Sequence, residues 1–205
     1  MNKNGLTLVE MIAVLVVLSI VATVVTPNIA REIKDYRART LNAQLSTIEG
    51  ATKNWVADNV SAVDCTNDDR VGLKISISTL KSGAYIDEDI KNTKGGNLDN
   101  AFGLVYCTTV KDETENLATN YKYEYGAYED INDYYKKMAI KYVKDNGNGS
   151  GIVKVTTNML INNKYLYTSV KDYMTNAVTS TPSLTIDVEV TEGINEYNYE
   201  ATIES

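Results

Sequence analysis

The sequence predicts an α+β protein. Its expected form is a long N-terminal helix, hydrophobic then amphipathic, packed on an antiparallel β-sheet head and followed by a second tandem α+β unit. Three observations carry this. An apolar run opens at Leu6 and continues, past Pro27, into a stripe at helical spacing. Two β-rich runs follow, GLVYCTTV (103–110) and NYKYEYGAY (120–128). Blocks from the first half then return, in order, in the second half.

Taken in order, MNKNG is a polar lead, and from Leu6 the chain is apolar except for Glu10, with no charged residue from Met11 to Val25. Helical residues rise 1.5 Å each, so residues 6–30 are long enough to cross a bilayer of about 30 Å. A carboxylate near the start of such a segment is costly unless neutralised, which makes Glu10 a functional-site candidate. A conventional secretory signal would carry more basic residues than Lys3 and an A-x-A-like cleavage site after its apolar core. A plain membrane anchor is the other alternative, and it leaves Gly5 and Glu10 without a role. Pro27 removes one helical hydrogen bond and loosens the helix locally without ending it. Ile29, Ile33, Tyr36, Leu41, Leu45, Ile48, Thr52, Trp55 and Val56 mark one face of the continuation to about residue 59. Arg31, Glu32, Lys34, Asp35, Arg37 and Arg39 lie between them, a solvated face or a surface for neighbouring copies. Gly50 costs about 1 kcal/mol relative to Ala in a helix and suggests a close packing contact.

The segment GLTLVE (5–10) with the apolar run behind it resembles the class III signal of type IV pilins and of the related pseudopilins of type II secretion. The resemblance implies that a prepilin peptidase cuts after Gly5 and methylates the new N-terminus at Leu6, with Glu10 as the fifth residue of the mature chain. The family more often has Phe than Leu after the cut. It also implies a proline, here Pro27, around which the helix can unwind in the filament. The expected division is then a leader at 1–5, a transmembrane and filament-core helix at 6–30, a first pilin-like head at 31–126 with its helical spine to about 59, and a second pilin-like repeat at 127–205. Implied partners are other pilin subunits, prepilin peptidase, the pilus assembly platform and the cytoplasmic membrane. The expected location is a single-pass membrane protein before assembly and a cell-surface filament afterwards. Within residues 6–25 Glu10 is the sole charged side chain, so its counter-charge is expected from the amine that cleavage creates on another subunit.

In the repeat, Trp55-Val56-Ala57-Asp58-Asn59 matches Tyr142-Val143-Lys144-Asp145-Asn146 at the end of a helical segment, INDYYKKMAIKYVKDN (131–146). Lys74, Leu80, Tyr85 and Ile86 return as Lys154, Leu160, Tyr165 and Leu166 at one offset, and GLVYCTTV matches SLTIDVEV (183–190) at the same offset. Tyr121 to Glu124 return as Tyr197 to Glu200. On this alignment Cys107 corresponds to Asp187, so both cysteines belong to the first copy. In an exported head, Cys65 and Cys107 read as a disulfide clipping the longer first-copy loop to its sheet, with two buried thiols as the alternative. The family's disulfide usually ties a C-terminal loop, so this mid-chain pair departs from it.

A net charge of −7 argues against a nucleic-acid surface. The chain has no His, so neither a Ser-His-Asp nor a Cys-His catalytic arrangement can be built, and two thiols make a poor zinc site. DNGNGSG (145–151) lacks the oxygen ligand at its third position and the downstream glutamate of a calcium loop. No enzyme activity, metal or cofactor is expected. The expected function is a structural subunit of a type IV pilus-like filament, in a minor or specialised role. A pseudopilin of a secretion or DNA-uptake machine is the alternative within the same architecture. A membrane-anchored binding or adhesion protein is the alternative outside it.

Overall fold

The computed structural model describes residues 8–65, 70–87, 90, 98–111, 119–147, 149–193 and 196–204; the side chains of 20–28, 30, 31, 109–111, 119 and 120 are not described. The fold is α+β. Helix α1 (Leu8–Asp58) runs without a break through Pro27. After a 3₁₀ turn (Val60–Ala62) come β1 (Val71–Ser76), α2 (Ile77–Ser82), β2 (Phe102–Lys111) and β3 (Thr119–Tyr128). The second half holds α3 (Ile131–Asp145), β4 (Gly151–Thr156), α4 (Thr157–Asn162), β5 (Ser169–Asp172), β6 (Val178–Ser180), β7 (Thr185–Glu192) and β8 (Tyr197–Ile203).

The strands form a five-stranded sheet in the order β3-β2-β1-β5-β6 and a three-stranded sheet in the order β4-β7-β8. The central strand β2 of the first sheet is buried on both faces. Val105 and Cys107 of β2 join Leu45, Ile48, Trp55 and Val56 of α1 in one core, while Phe102, Leu104 and Tyr106 point the other way into a second core with α3 and the smaller sheet. A strand covered on both sides needs apolar residues at successive positions, which is why FGLVYC carries almost no polar side chain. β7 is covered on one side only. Ile186, Val188 and Val190 are buried while Glu189 and Glu192 face water, so TIDVEVTE alternates.

The expected stripe along α1 divides in two. From Leu45 onward Ile48, Thr52, Trp55 and Val56 are buried, as is Ala51, and Leu41 is partly so. Ile29, Ile33 and Tyr36 are exposed, because the apolar core of the head begins only at Leu41. A Cβ on Gly50 would meet nothing within 4 Å, so the close contact expected there is not made within the chain. Gly103 of β2 is where the helix comes closest: a Cβ there would overlap the Thr52 hydroxyl.

Two strand–helix corners share their hydrogen bonds. Ser76 caps α2 by accepting from the Thr79 N–H at 3.2 Å, and Thr156 caps α4 by accepting from the Met159 N–H at 3.2 Å. Each helix is followed by a residue in the left-handed region, Ala84 (φ 57°) and Lys164 (φ 63°). Tyr85 donates to Asp58 at 2.8 Å, and Tyr165 to Asp145 at 2.9 Å. The Asn59 amide donates back to the Trp55 carbonyl at 2.9 Å, and Asn146 to that of Tyr142 at 2.8 Å. The matched blocks WVADN and YVKDN therefore do the same two jobs: the Asp anchors the tyrosine after the next helix, and the Asn closes its own helix.

Register corrects one of the sequence matches. Lys74 lies opposite Leu104, whereas Lys154 lies opposite Asp187. β7 is thus three positions out of step with the single offset read from the sequence, and the place of Cys107 in β2 is taken by Val190, not Asp187. Tyr123 pairs with Cys107 and Tyr199 with Val190, so the YKYE and YNYE blocks do occupy equal places. The connection from α4 to β7 is longer than that from α2 to β2, and alternating residues alone do not reveal a shift of this kind.

The halves also interlock. β5, which follows α4, pairs in parallel with β1, from Val71 opposite Ser169 to Lys74 opposite Asp172, and β6 extends that edge. A boundary between 126 and 127 therefore does not separate the strands into two sheets.

Candidate functional site at the N-terminal helix

Glu10 lies in the first turn of α1, where a carboxylate is favoured by the helix dipole, and it is exposed. Around it the helix is apolar on every side. Nine large side chains between Leu8 and Leu18 are all more than half exposed, from 53% at Ile12, Val14 and Val16 to 78% at Leu8. A helix apolar all round is stable only inside an apolar environment, and the head of the same chain does not provide one. Just beyond this stretch Ser19 donates to the Leu15 carbonyl at 2.7 Å and so satisfies its hydroxyl within the helix.

Gly5 and Leu6, the expected processing residues, lie outside the described residues, as does the side chain of Pro27. Among the described residues no helix is long and apolar enough to cross a membrane; of the expected 6–30 segment, residues 6 and 7 and the side chains of 20–28 and 30 lie outside that set.

Cys65 and Cys107 are joined in a disulfide with their Cα atoms 4.7 Å apart, tying the chain after α1 to the middle of the first sheet. Closing a loop of this length is worth roughly 3–4 kcal/mol through the unfolded chain. The bridge packs beside Val63 and Val105 in the α1 core.

The second half rests on α1 through an ion pair, Lys34 to Glu200 at 3.1 Å. Both side chains are largely exposed, so the pair orients more than it stabilises, about 0–1 kcal/mol. The sequence placed Lys34 on a charged face, solvated or open to neighbouring copies; a contact within the chain between residues so far apart leaves no local signal.

Residues 1–26 match the family model of the prokaryotic N-terminal methylation motif, the type IV pilin class III signal. The motif supports a protein of the type IV pilin or pseudopilin type, structural in kind, processed by prepilin peptidase and built to meet other pilin subunits. No curated protein and no solved structure matches the chain.

Proposed function

We propose that the chain is a structural subunit of a type IV pilus-like filament, in a minor or specialised role, assembled through α1. The observation that supports this most directly is the exposed apolar surface from Leu8 to Leu18, carrying one acid, at the end of a helix whose other end is the spine of the head. Residues 6–30 hold the subunit in the cytoplasmic membrane until the assembly platform transfers it to the filament core, leaving the head outside.

Prepilin peptidase cleaves after Gly5 and methylates the amine of Leu6. In the filament that amine on one subunit meets the Glu10 carboxylate of its neighbour. Opposite charges in an apolar core attract strongly, and each offsets the other's loss of water. The pair sets axial register, while Pro27 lets the helix adjust to its neighbours. The first pilin-like head spans 31–126 and the second repeat 127–205; the two corners with matching caps and Tyr–Asp bonds support the duplication. The Cys65–Cys107 bridge suits an exported head.

Mass analysis of the purified protein's N-terminus is expected to give a methylated Leu6; an intact Met1 contradicts the proposal. Glu10→Ala is expected to leave membrane insertion intact and to reduce sheared filaments containing the protein at least about tenfold, about 1.4 kcal/mol or more per subunit contact. Wild-type filament yield from that variant would overturn the role of Glu10 while leaving processing untouched.

A further inference from the structure

A cleft of about 580 Å³ lies where the two halves meet, walled by β3 on one side and by α3 and the turn after α4 on the other. Small-molecule sites occupy about 300–1,000 Å³. The corresponding corner of the first half, between α1 and the turn after α2, is smaller, about 370 Å³, and is lined by Thr40, Ala43, Gln44 and Thr47. The cleft in the second half is furnished differently.

Its floor is a packed group of tyrosines. Tyr128, Tyr134 and Tyr167 are each more than nine-tenths buried, Tyr128 meets Tyr134 edge to face at 4.7 Å, and the Tyr134 hydroxyl accepts the Tyr167 N–H at 3.2 Å. Burial pushes all three phenols up, so they stay protonated and neutral throughout the physiological range. Arg70 crosses one end. Its guanidinium lies 5.1 Å from the Tyr106 ring and 5.3 Å from that of Tyr167, its Nη2 donates to the Lys164 carbonyl at 3.0 Å, and its Nε is buried with no hydrogen-bond partner among the described residues. Arg70 also holds a left-handed backbone, φ 50°, which costs an ordinary residue about 1–3 kcal/mol and is retained where surrounding structure demands it.

The rim alternates donors with acceptors. Lys141, which lies 5.9 Å over the Tyr165 ring, and Lys164 supply ammonium groups; Glu124 and Asp145 supply carboxylates, Asp145 already accepting from Tyr165; Asn163 supplies an amide oxygen and the one amide hydrogen not given to the Met159 carbonyl, while Met138 and the half-buried edge of Tyr165 add apolar surface. We propose that this cleft binds a neutral saccharide unit. Each sugar hydroxyl donates one hydrogen bond and accepts others, so it is matched by a wall carrying both kinds of partner, and its C–H faces are matched by Met138 and Tyr165. A free anion would meet Glu124 and Asp145, and a free cation Lys141, Lys164 and Arg70. The floor offers no open ring face for stacking a nucleobase, since Tyr134, Tyr167 and Tyr106 face one another at 4.9 to 6.2 Å.

The test uses the full chain in phospholipid nanodiscs and saturation-transfer NMR, with galactose, mannose, N-acetylglucosamine and maltotriose as neutral probes, and glucuronate, inorganic phosphate and a thymidine oligonucleotide as charged ones. Transfer to at least one neutral sugar is expected, with the affinity reduced at least about fivefold in both Asn163→Ala and Lys141→Ala. Both residues are exposed, and an unchanged circular dichroism spectrum checks that the variants are folded. Transfer to none of the neutral probes, transfer to the charged probes alone, or neutral binding that neither folded variant weakens would each overturn the proposal. Neither result bears on cleavage after Gly5 or on the role of Glu10.

Discussion

Thr52 and Gly103 form the tightest contact between helix and sheet in the first half. The Thr52 hydroxyl is satisfied by the Ile48 carbonyl at 2.8 Å, which holds it against the bare Cα of Gly103. By the registers that align the two corners, the second half has Ala139 on the helix and Ile186 on the strand at these places, small and large exchanged, both fully buried. Overpacking a core costs about 1–3 kcal/mol, so Gly103→Ala is expected to lower stability by that amount in a urea melt, and Thr52→Ala added to it to restore part of the loss. Additive losses in the double variant would mean that the two residues do not touch. Two candidate residues were plain from local sequence at this scale: Glu10, by its isolation in an apolar run, and Cys107, by its place in a buried strand. The Thr52–Gly103 contact was not, because a glycine inside a strand names no partner.

At the scale of elements, the β5–β6 hairpin depends on one side chain. Asp172 accepts from the Met174 N–H at 3.0 Å and from the N–H and hydroxyl of Thr175 at 3.1 and 3.2 Å, and it faces Lys74 of β1 at 3.5 Å. Burial alone would raise its pKa; the Thr175 N–H and Lys74 more than reverse this and hold the carboxyl below its usual value. Because the folded value is depressed, its contribution is fully present above the unfolded carboxylate range near pH 4 and is lost as pH falls through the folded value. Asp172→Ala is expected to cost about 1–3 kcal/mol and to speed hydrogen exchange in β5, β6 and the β1 edge before the rest of the molecule. Uniform exchange across all strands would contradict it. The long helices and β2, β3, β7 and β8 were legible because their burial sets the residue pattern. β5 and β6 were not. SVKD and VTS are short and, apart from Val170, exposed or half-exposed; SVKD pairs in parallel with a strand far back in the chain and VTS only extends its edge, so neither length nor alternation marks them.

The whole molecule is rich in tyrosine, with 15 residues, and much of its second core is built from them. Burial raises the pKa of Tyr128, Tyr134, Tyr167 and Tyr135, and hydrogen bonds to Asp58 and Asp145 raise those of Tyr85 and Tyr165. The folded chain therefore holds protons that the unfolded chain gives up near pH 10. Stability is expected to be level up to about that pH and to fall steadily above it, with the phenolate absorbance of these six tyrosines rising together with loss of helix rather than before it. Full tyrosine ionisation in a chain that is still folded would contradict the prediction. The parallel β1–β5 pairing has a consequence for the order of events in the export that the proposed function entails. In that export, starting from the anchored end, the outer part of α1, β1, β2 and β3 emerge first, with both cysteines among them, yet the β1 edge stays open until residues 169–172 arrive. The bridge between Cys65 and Cys107 can close on a sheet that is still incomplete. It holds the early half in register during the interval when an unpaired strand edge is most exposed to other chains.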